Sequence, residues 1–253
     1  MKKNIIFLFI LIFSSSFCFA ESIEAQVRSA YDAKDYDKAI ILLEEEASKQ
    51  KESGLESAQL YYNLGNAYFR DNNVGKAILN YERAALLAPN DKDIKVNLEF
   101  SNTKIQDKFT EKDTFFLMSG LNAVQNLFTS NDWANISIFL FIILTACLAV
   151  FFFMQHIVIK KVTFYIGIVV AILLICANIF SFRQKNKIEN RQYAIILQKE
   201  VPAYNAPNSS YKESFILHSG SKVKINKEDG DWVEVEIISG AVGWVDKDAL
   251  EII

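Results

Sequence analysis

The chain has 253 residues, a net charge of -3, a hydrophobic fraction of 51% and three cysteines. That length allows one or two domains, and the near-neutral charge lacks the concentrated basic face that nucleic acid requires. The apolar residues fall into three blocks and are not spread evenly, which sets this chain apart from an ordinary soluble domain.

The first block, "MKKNIIFLFILIFSSSFCFA", puts Lys2 and Lys3 before nine apolar residues, Ile5 to Phe13, followed by serines and a small-residue ending. Nine residues of helix span about 14 Å, roughly half of a bilayer core. Residues 1–20 therefore read as a secretory signal peptide, cleaved after Ala20. Bulky Phe17 argues against lipidation of Cys18.

Residues 22–108 carry a helical period with charged faces. Leu64, Gly65, Tyr68, Ala77, Tyr81, Ala84 and Pro89, opened by Tyr61, have the spacing of a tetratricopeptide repeat, a 34-residue helix-turn-helix unit. A glycine inside a helix costs about 1 kcal/mol relative to alanine. At Gly65 the expected return is close packing of two antiparallel helices, with Ala77 small on the other side. A weaker copy lies upstream, with Tyr36, Ala39 and Leu43 in corresponding places. "NDKDIKVNLEFSNTKIQ" downstream reads as a closing helix with Leu98 inside. First helices of such stacks line a concave face, and here that face would hold Tyr62, Asn66, Phe69, Arg70 and Asn97, with Phe100 beside them. Asparagine amides and aromatic rings suit an extended peptide or a partner helix. Tyr62 stands where a carboxylate-clamping groove would carry lysine, so carboxylate capture is not expected.

Residues 109–133 form an apolar connector in which Phe115, Phe116, Leu121, Val124, Leu127 and Phe128 fit one face of an interfacial helix. An N-cap is expected at Ser130 or Asn131, with Trp133 at headgroup level. Residues 134–154 and 162–182 are then uncharged and long enough to cross a bilayer core of about 30 Å. The short connection 155–161 makes them a transmembrane hairpin, with Thr145, Ala149, Gly167 and Ala171 allowing close approach. Cys147 and Cys176 lie within the spans, so the exported parts have no cysteine for a disulfide. Two spans put both flanking regions on one side, and the export segment makes that side the periplasm of a bacterial inner membrane. A basic linker, 183–191, follows; its charge runs against the positive-inside rule.

From residue 192 to 253 the period becomes two, in five short runs: "YAIIL", "SKVKIN", "DWVEVEII", "AVGWVD" and "LEII". Five short strands in about sixty residues fit a small closed barrel. Gly220, Trp232, Gly243 and Trp244 resemble the bacterial SH3-type (SH3b) domain. Val233, Val235 and Ile237 share the inward face, leaving Trp232 outward; with Tyr204 and Tyr211 it is a candidate platform for a wall peptide or a protein segment. Trp244 is expected to pack against the barrel.

No catalytic constellation accompanies these modules. The two histidines, His156 and His218, have no Cys, His or carboxylate neighbour at metal-ligand spacing, and no phosphate-cradling or nucleophile-elbow motif occurs. The expected protein is not an enzyme and has no metal or cofactor. Its expected fold is a multi-domain membrane protein: an all-α helical repeat, a two-helix transmembrane hairpin and a small all-β SH3-like barrel. This order of parts, with "SNDWANIS" leading into the first span, resembles the E-type proteins of the Bat aerotolerance system. The resemblance implies an envelope assembly with von Willebrand-type membrane proteins and, indirectly, a MoxR-like ATPase, serving stress or oxygen tolerance. The expected function is a membrane-anchored periplasmic scaffold; the alternative is an anchor or sensor that binds cell-wall peptides.

Overall fold

The computed structural model describes residues 23–109 and 116–253. The expected export segment, residues 1–20, and Phe115 lie outside the described residues.

Five helices build the N-terminal layer: α1 (Ile23–Asp32), α2 (Tyr36–Glu52), α3 (Ala58–Arg70), α4 (Val74–Leu87) and α5 (Lys92–Asn102). Local chemistry sets where they start. Asp35, Ser57, Asn73 and Asp91 each accept a first-turn backbone N–H with their side chain, which satisfies donors that the helix leaves orphaned. Two helical hairpins and a closing helix result, packed over Leu43, Leu60, Leu64, Ala77, Tyr81, Ala84 and Ile94. Gly65 lies against Tyr81: a Cβ there would come within 2.5 Å of the ring. The space that glycine leaves is filled by an aromatic ring that is itself almost wholly buried.

Helix α6 (Phe116–Gln125) leads into α7 (Ser130–Phe153) and α8 (Ile157–Glu189), of 24 and 33 residues. Both α7 and α8 are long and apolar enough to cross a membrane. Thr129, one residue before the expected positions, caps α7 in a reciprocal box with Asp132, because its hydroxyl reaches the Asp132 amide while that carboxylate accepts the Thr129 N–H. Trp133, expected at headgroup level, turns inward against protein. It is buried, its indole N–H donates to the Gln125 carbonyl at 2.9 Å, and its ring packs on Phe128 and Phe180. The hairpin is pinned by Ser130 with Ser181 and by Asn178 donating to Ser137 at 2.7 Å. Residues near the start of α7 therefore meet residues near the end of α8, and the two flanking regions emerge at the same end. Residues 183–189, expected as a linker, continue α8. Nothing in "RQKNKIE" breaks a helix, and the turn waits for Asn190.

The C-terminal sheet has seven antiparallel strands, two more than the five runs read above, in the order β3-β2-β6-β5-β4-β1-β7. They are β1 (Tyr193–Ile196), β2 (Glu200–Tyr204), β3 (Glu213–His218), β4 (Lys222–Asp229), β5 (Trp232–Glu236), β6 (Val242–Asp246) and β7 (Leu250–Ile252). The added pair is β2 and β3, whose "EVPAY" and "ESFILH" carry too little alternation to stand out. Val233, Val235 and Ile237 face the inner core with Ala194, Ile196, Val201, Leu217 and Val245. Gly243 permits close approach, since a Cβ there would meet Ala203 at 2.9 Å and the Phe215 ring at 3.2 Å.

The helical layer and the sheet are not separate beads. Ile78 and Leu79 of α4 join Ile195 of β1 and Ile253 in a third buried cluster, with Ile105 and Leu197 packed on it. Glycines line this seam on both sides. A Cβ on Gly75 would overlap the Ser219 hydroxyl, and one on Gly220 would come within 2.5 Å of Ile105 and 3.0 Å of Ile78. Gly220 also has a φ of +94°, which a side chain would disfavour.

Candidate binding sites

The repeat joins three of its five candidate groove residues, Tyr62, Asn66 and Asn97, by hydrogen bonds. Asn97 on α5 donates to the Tyr62 hydroxyl at 3.0 Å and to the Asn66 carbonyl oxygen at 3.1 Å. The same Asn66 oxygen accepts from the Tyr81 hydroxyl at 2.7 Å. Phe69 sits 5.6 Å, ring to ring, from Phe100. Arg70 is exposed at the end of α3. The amides are thus held in place before any ligand arrives, which lowers the ordering cost of binding.

Two residues of this surface were not among the sequence candidates. Tyr81 supplies the hydroxyl that fixes Asn66, and Tyr31 of α1 lies beside the cluster. The Tyr31 hydroxyl is buried with no hydrogen-bond partner among the described residues. Burial, against the opposing pull of the Arg70 charge, raises its pKa well above the ordinary tyrosine value, so it remains a neutral hydroxyl. The signal for Tyr31 was its position four residues after buried Val27, on the packed face of α1.

On the sheet, Tyr204 and Trp232 meet edge to face, with centroids 5.6 Å apart. Strand β6 explains why. Tyr204 of β2 pairs with Trp244 on one side of β6, and Trp232 of β5 pairs with Asp246 on the other. Trp232 is half-buried, whereas Tyr211 is exposed on the loop after β2 and stands apart from this ring pair. Trp244 is buried, with the Lys227 ammonium 5.0 Å from its ring centroid.

The seam between the layers carries its own polar lock. Asp107 accepts from the His218 backbone N–H at 2.8 Å, meets the His218 Nδ1 at 2.6 Å and accepts from the Ser221 hydroxyl. Burial alone would raise the Asp107 pKa; the donated hydrogen bonds outweigh it and hold the carboxyl below its ordinary value. At the other edge of the seam, Arg83 donates to Glu251 and to the Ile252 carbonyl at 2.8 and 2.6 Å, and Arg191 pairs with Glu56. Among the described residues no group of three or more His, Cys, Asp or Glu side chains is placed to hold a metal ion.

A stack of helical hairpins with an aromatic and amide surface and a small antiparallel sheet with an aromatic pair give the chain two candidate binding modules. The comparisons agree in class. A tetratricopeptide repeat model matches residues 58–91, and a bacterial SH3 domain model matches residues 198–251. The provisional N-acetylmuramoyl-L-alanine amidase YrvJ of Bacillus subtilis (strain 168) is 38% identical over 52 residues, 21% of this chain and 10% of that protein. The chain thus spans about a tenth of the length of that relative.

Proposed function

We propose that this chain is a membrane-anchored scaffold that holds protein partners through the concave face of its repeat and is not an enzyme. The observation that carries the reading is the shared core of Ile78, Leu79, Ile195 and Ile253. It makes one rigid body of two modules and uses the second helix of the repeat, leaving Arg70 and Phe100 on the first-helix face exposed. The apolar exteriors of α7 and α8, with Phe139, Phe152, Val169 and Phe182 exposed, support insertion of the hairpin in a bilayer. Both soluble parts then sit on one side of the bilayer, which we infer is the periplasm. The arrangement of parts supports membership of a Bat-type envelope assembly, with von Willebrand-type membrane proteins as direct partners and a MoxR-like ATPase reached through them.

A second reading has its own observation: the Tyr204–Trp232 pair on a bacterial SH3 domain, in a chain sharing 52 residues of 38% identity with a protein provisionally named an N-acetylmuramoyl-L-alanine amidase. In that reading the sheet binds cell-wall peptides. Affinity capture with the full chain in detergent, against envelope proteins and against purified wall, separates the two. The scaffold reading expects a protein partner whose capture falls at least tenfold in Asn66→Ala/Asn97→Ala and is unchanged in Trp232→Ala. Retention by wall alone, lost in Trp232→Ala, would replace it with the second reading.

A further inference from the structure

Where α8 leaves its apolar stretch, the structure holds a cavity of about 620 Å³ between α4, α5, α6, the end of α8 and the sheet. Lys95, Arg183, Lys187, Arg191 and Lys222 line it, against a single acidic side chain, Glu82. Two of the cations are matched: Lys222 by Glu82 at 2.6 Å, and Arg191 by Glu56. Lys95, Arg183 and Lys187 have no carboxylate partner among the described residues. The Lys187 ammonium lies 3.5 Å from the Asn126 carbonyl oxygen. Partial desolvation pulls its pKa below the ordinary lysine value, and the Arg183 and Lys222 charges push the same way. Cations that converge on one cavity, with asparagine amides between them, suit an anion.

The position says which anion. Arg183 directly follows Phe182, the last residue of the apolar stretch. Asn122 and Asn126 reach the cavity from α6 and the turn after it, while Leu121, Val124, Leu127 and Phe128 are exposed and do not line it. A helix with that division lies in the boundary between headgroups and acyl chains. Its polar side, and the cavity it borders, therefore fall at the depth of lipid phosphates. A pocket of this size accommodates a small polar headgroup. We infer that Arg183, Lys187 and Lys95 form a binding site for the phosphodiester headgroup of an anionic phospholipid. The inference rests on insertion of α7 and α8 in a bilayer. It explains cations that the positive-inside rule leaves unexplained, because here they bind a specific lipid and do not set orientation.

The test uses the full chain, first floated with phosphatidylcholine vesicles and then examined by native mass spectrometry after release from detergent. Phosphatidylglycerol, phosphatidylcholine and inorganic phosphate are the probes. The expected result is preferential retention of phosphatidylglycerol, lowered about tenfold by Arg183→Gln/Lys187→Gln and severalfold by the exposed Lys95→Gln. Lys160→Gln/Lys161→Gln, at the far end of the hairpin, should leave retention unchanged. Equal retention in wild type and Arg183→Gln/Lys187→Gln would overturn the inference. So would displacement of the lipid by inorganic phosphate, which would make the free anion the ligand. A chain that floats with phosphatidylcholine yet shows no preference for phosphatidylglycerol sinks the headgroup site alone. A chain that fails to float sinks the membrane reading beneath it.

Discussion

Gly75 gives the sharpest test of the shared body, because its two surroundings pull a substitution in opposite directions. Within α4 it is the second residue, in the first turn, where replacing it with alanine or leucine gains only part of the about 1 kcal/mol of helix propensity found in a helix interior. Across the seam its Cβ would overlap the Ser219 hydroxyl and come within 3.4 Å of the Gly220 amide nitrogen. For Gly75→Ala the hydroxyl has to move and gives up its 3.2 Å bond to the Leu197 carbonyl, a loss of about 0.5–1.5 kcal/mol. The two effects partly cancel, so Gly75→Ala should cost less than about 1 kcal/mol. Gly75→Leu adds three further carbons facing the Ser219–Gly220 backbone, which cannot rotate away. Overpacking of that kind costs about 1–3 kcal/mol and should part the seam. Hydrogen-deuterium exchange of the full chain reads this directly at the His218, Gly220 and Ser221 amides, bonded to Asp107, Ile196 and His218 respectively. Exchange there should rise about fivefold or more in Gly75→Leu and by less than that in Gly75→Ala. If Gly75→Leu left those amides protected and raised the unfolding midpoint, the helical layer and the sheet would be independent and the argument for one body would fail.

Gly65→Ala should destabilise the repeat by up to about 2 kcal/mol, an overpacking loss against the buried Tyr81 ring partly offset by helix propensity. It should also weaken partner capture, since Tyr81 holds Asn66; stabilisation on thermal unfolding would contradict the packing account. The Asp107 carboxyl, with its pKa lowered on folding, contributes stability that is complete above its unfolded value near 3.9 and is lost as pH falls through the lower folded value. Amide protection at His218, corrected for intrinsic exchange, should therefore hold from neutrality to about pH 4 and drop only below that. Asp107→Asn should abolish the acid step, whereas loss between pH 7 and 5 would assign control to another group. Trp232→Ala should cost less than about 1.5 kcal/mol of stability because the ring is only half-buried. A collapse of the sheet in that variant would show that Trp232 is a core residue and not a platform.

The repeat was legible because its consensus residues are packing requirements: Gly65, Ala77 and Tyr81 fill one another's space and cannot be permuted. Val233, Val235 and Ile237 were legible for the same reason, with alternation dictated by one buried face. The seam was harder, yet it left a trace. "YAIIL" is an unbroken apolar run, and a strand facing solvent on one side would alternate. Ala194 and Ile196 face the sheet's core while Ile195 packs on Ile78 and Leu79. Strands β2 and β3 were missed because Pro202 and the exposed start of β3 blur the period. The basic cavity could not be read at all. Lys95, Arg183 and Lys222 are far apart in sequence, and only tertiary packing brings them together.

The continuation of α8 past its apolar stretch has a mechanical side. Residues 183–189 add about 10 Å of stiff rod at 1.5 Å per residue, and only Asn190 to Gln192 separate that rod from the first strand. Arg191 in this short joint is tied to Glu56, and Gln184 is tied to Gln125 across the cavity's edge. There is no slack with which to swivel. Any tilt or rotation imposed on the hairpin by a neighbour would swing the whole head through the same angle, as a crank turns with its shaft.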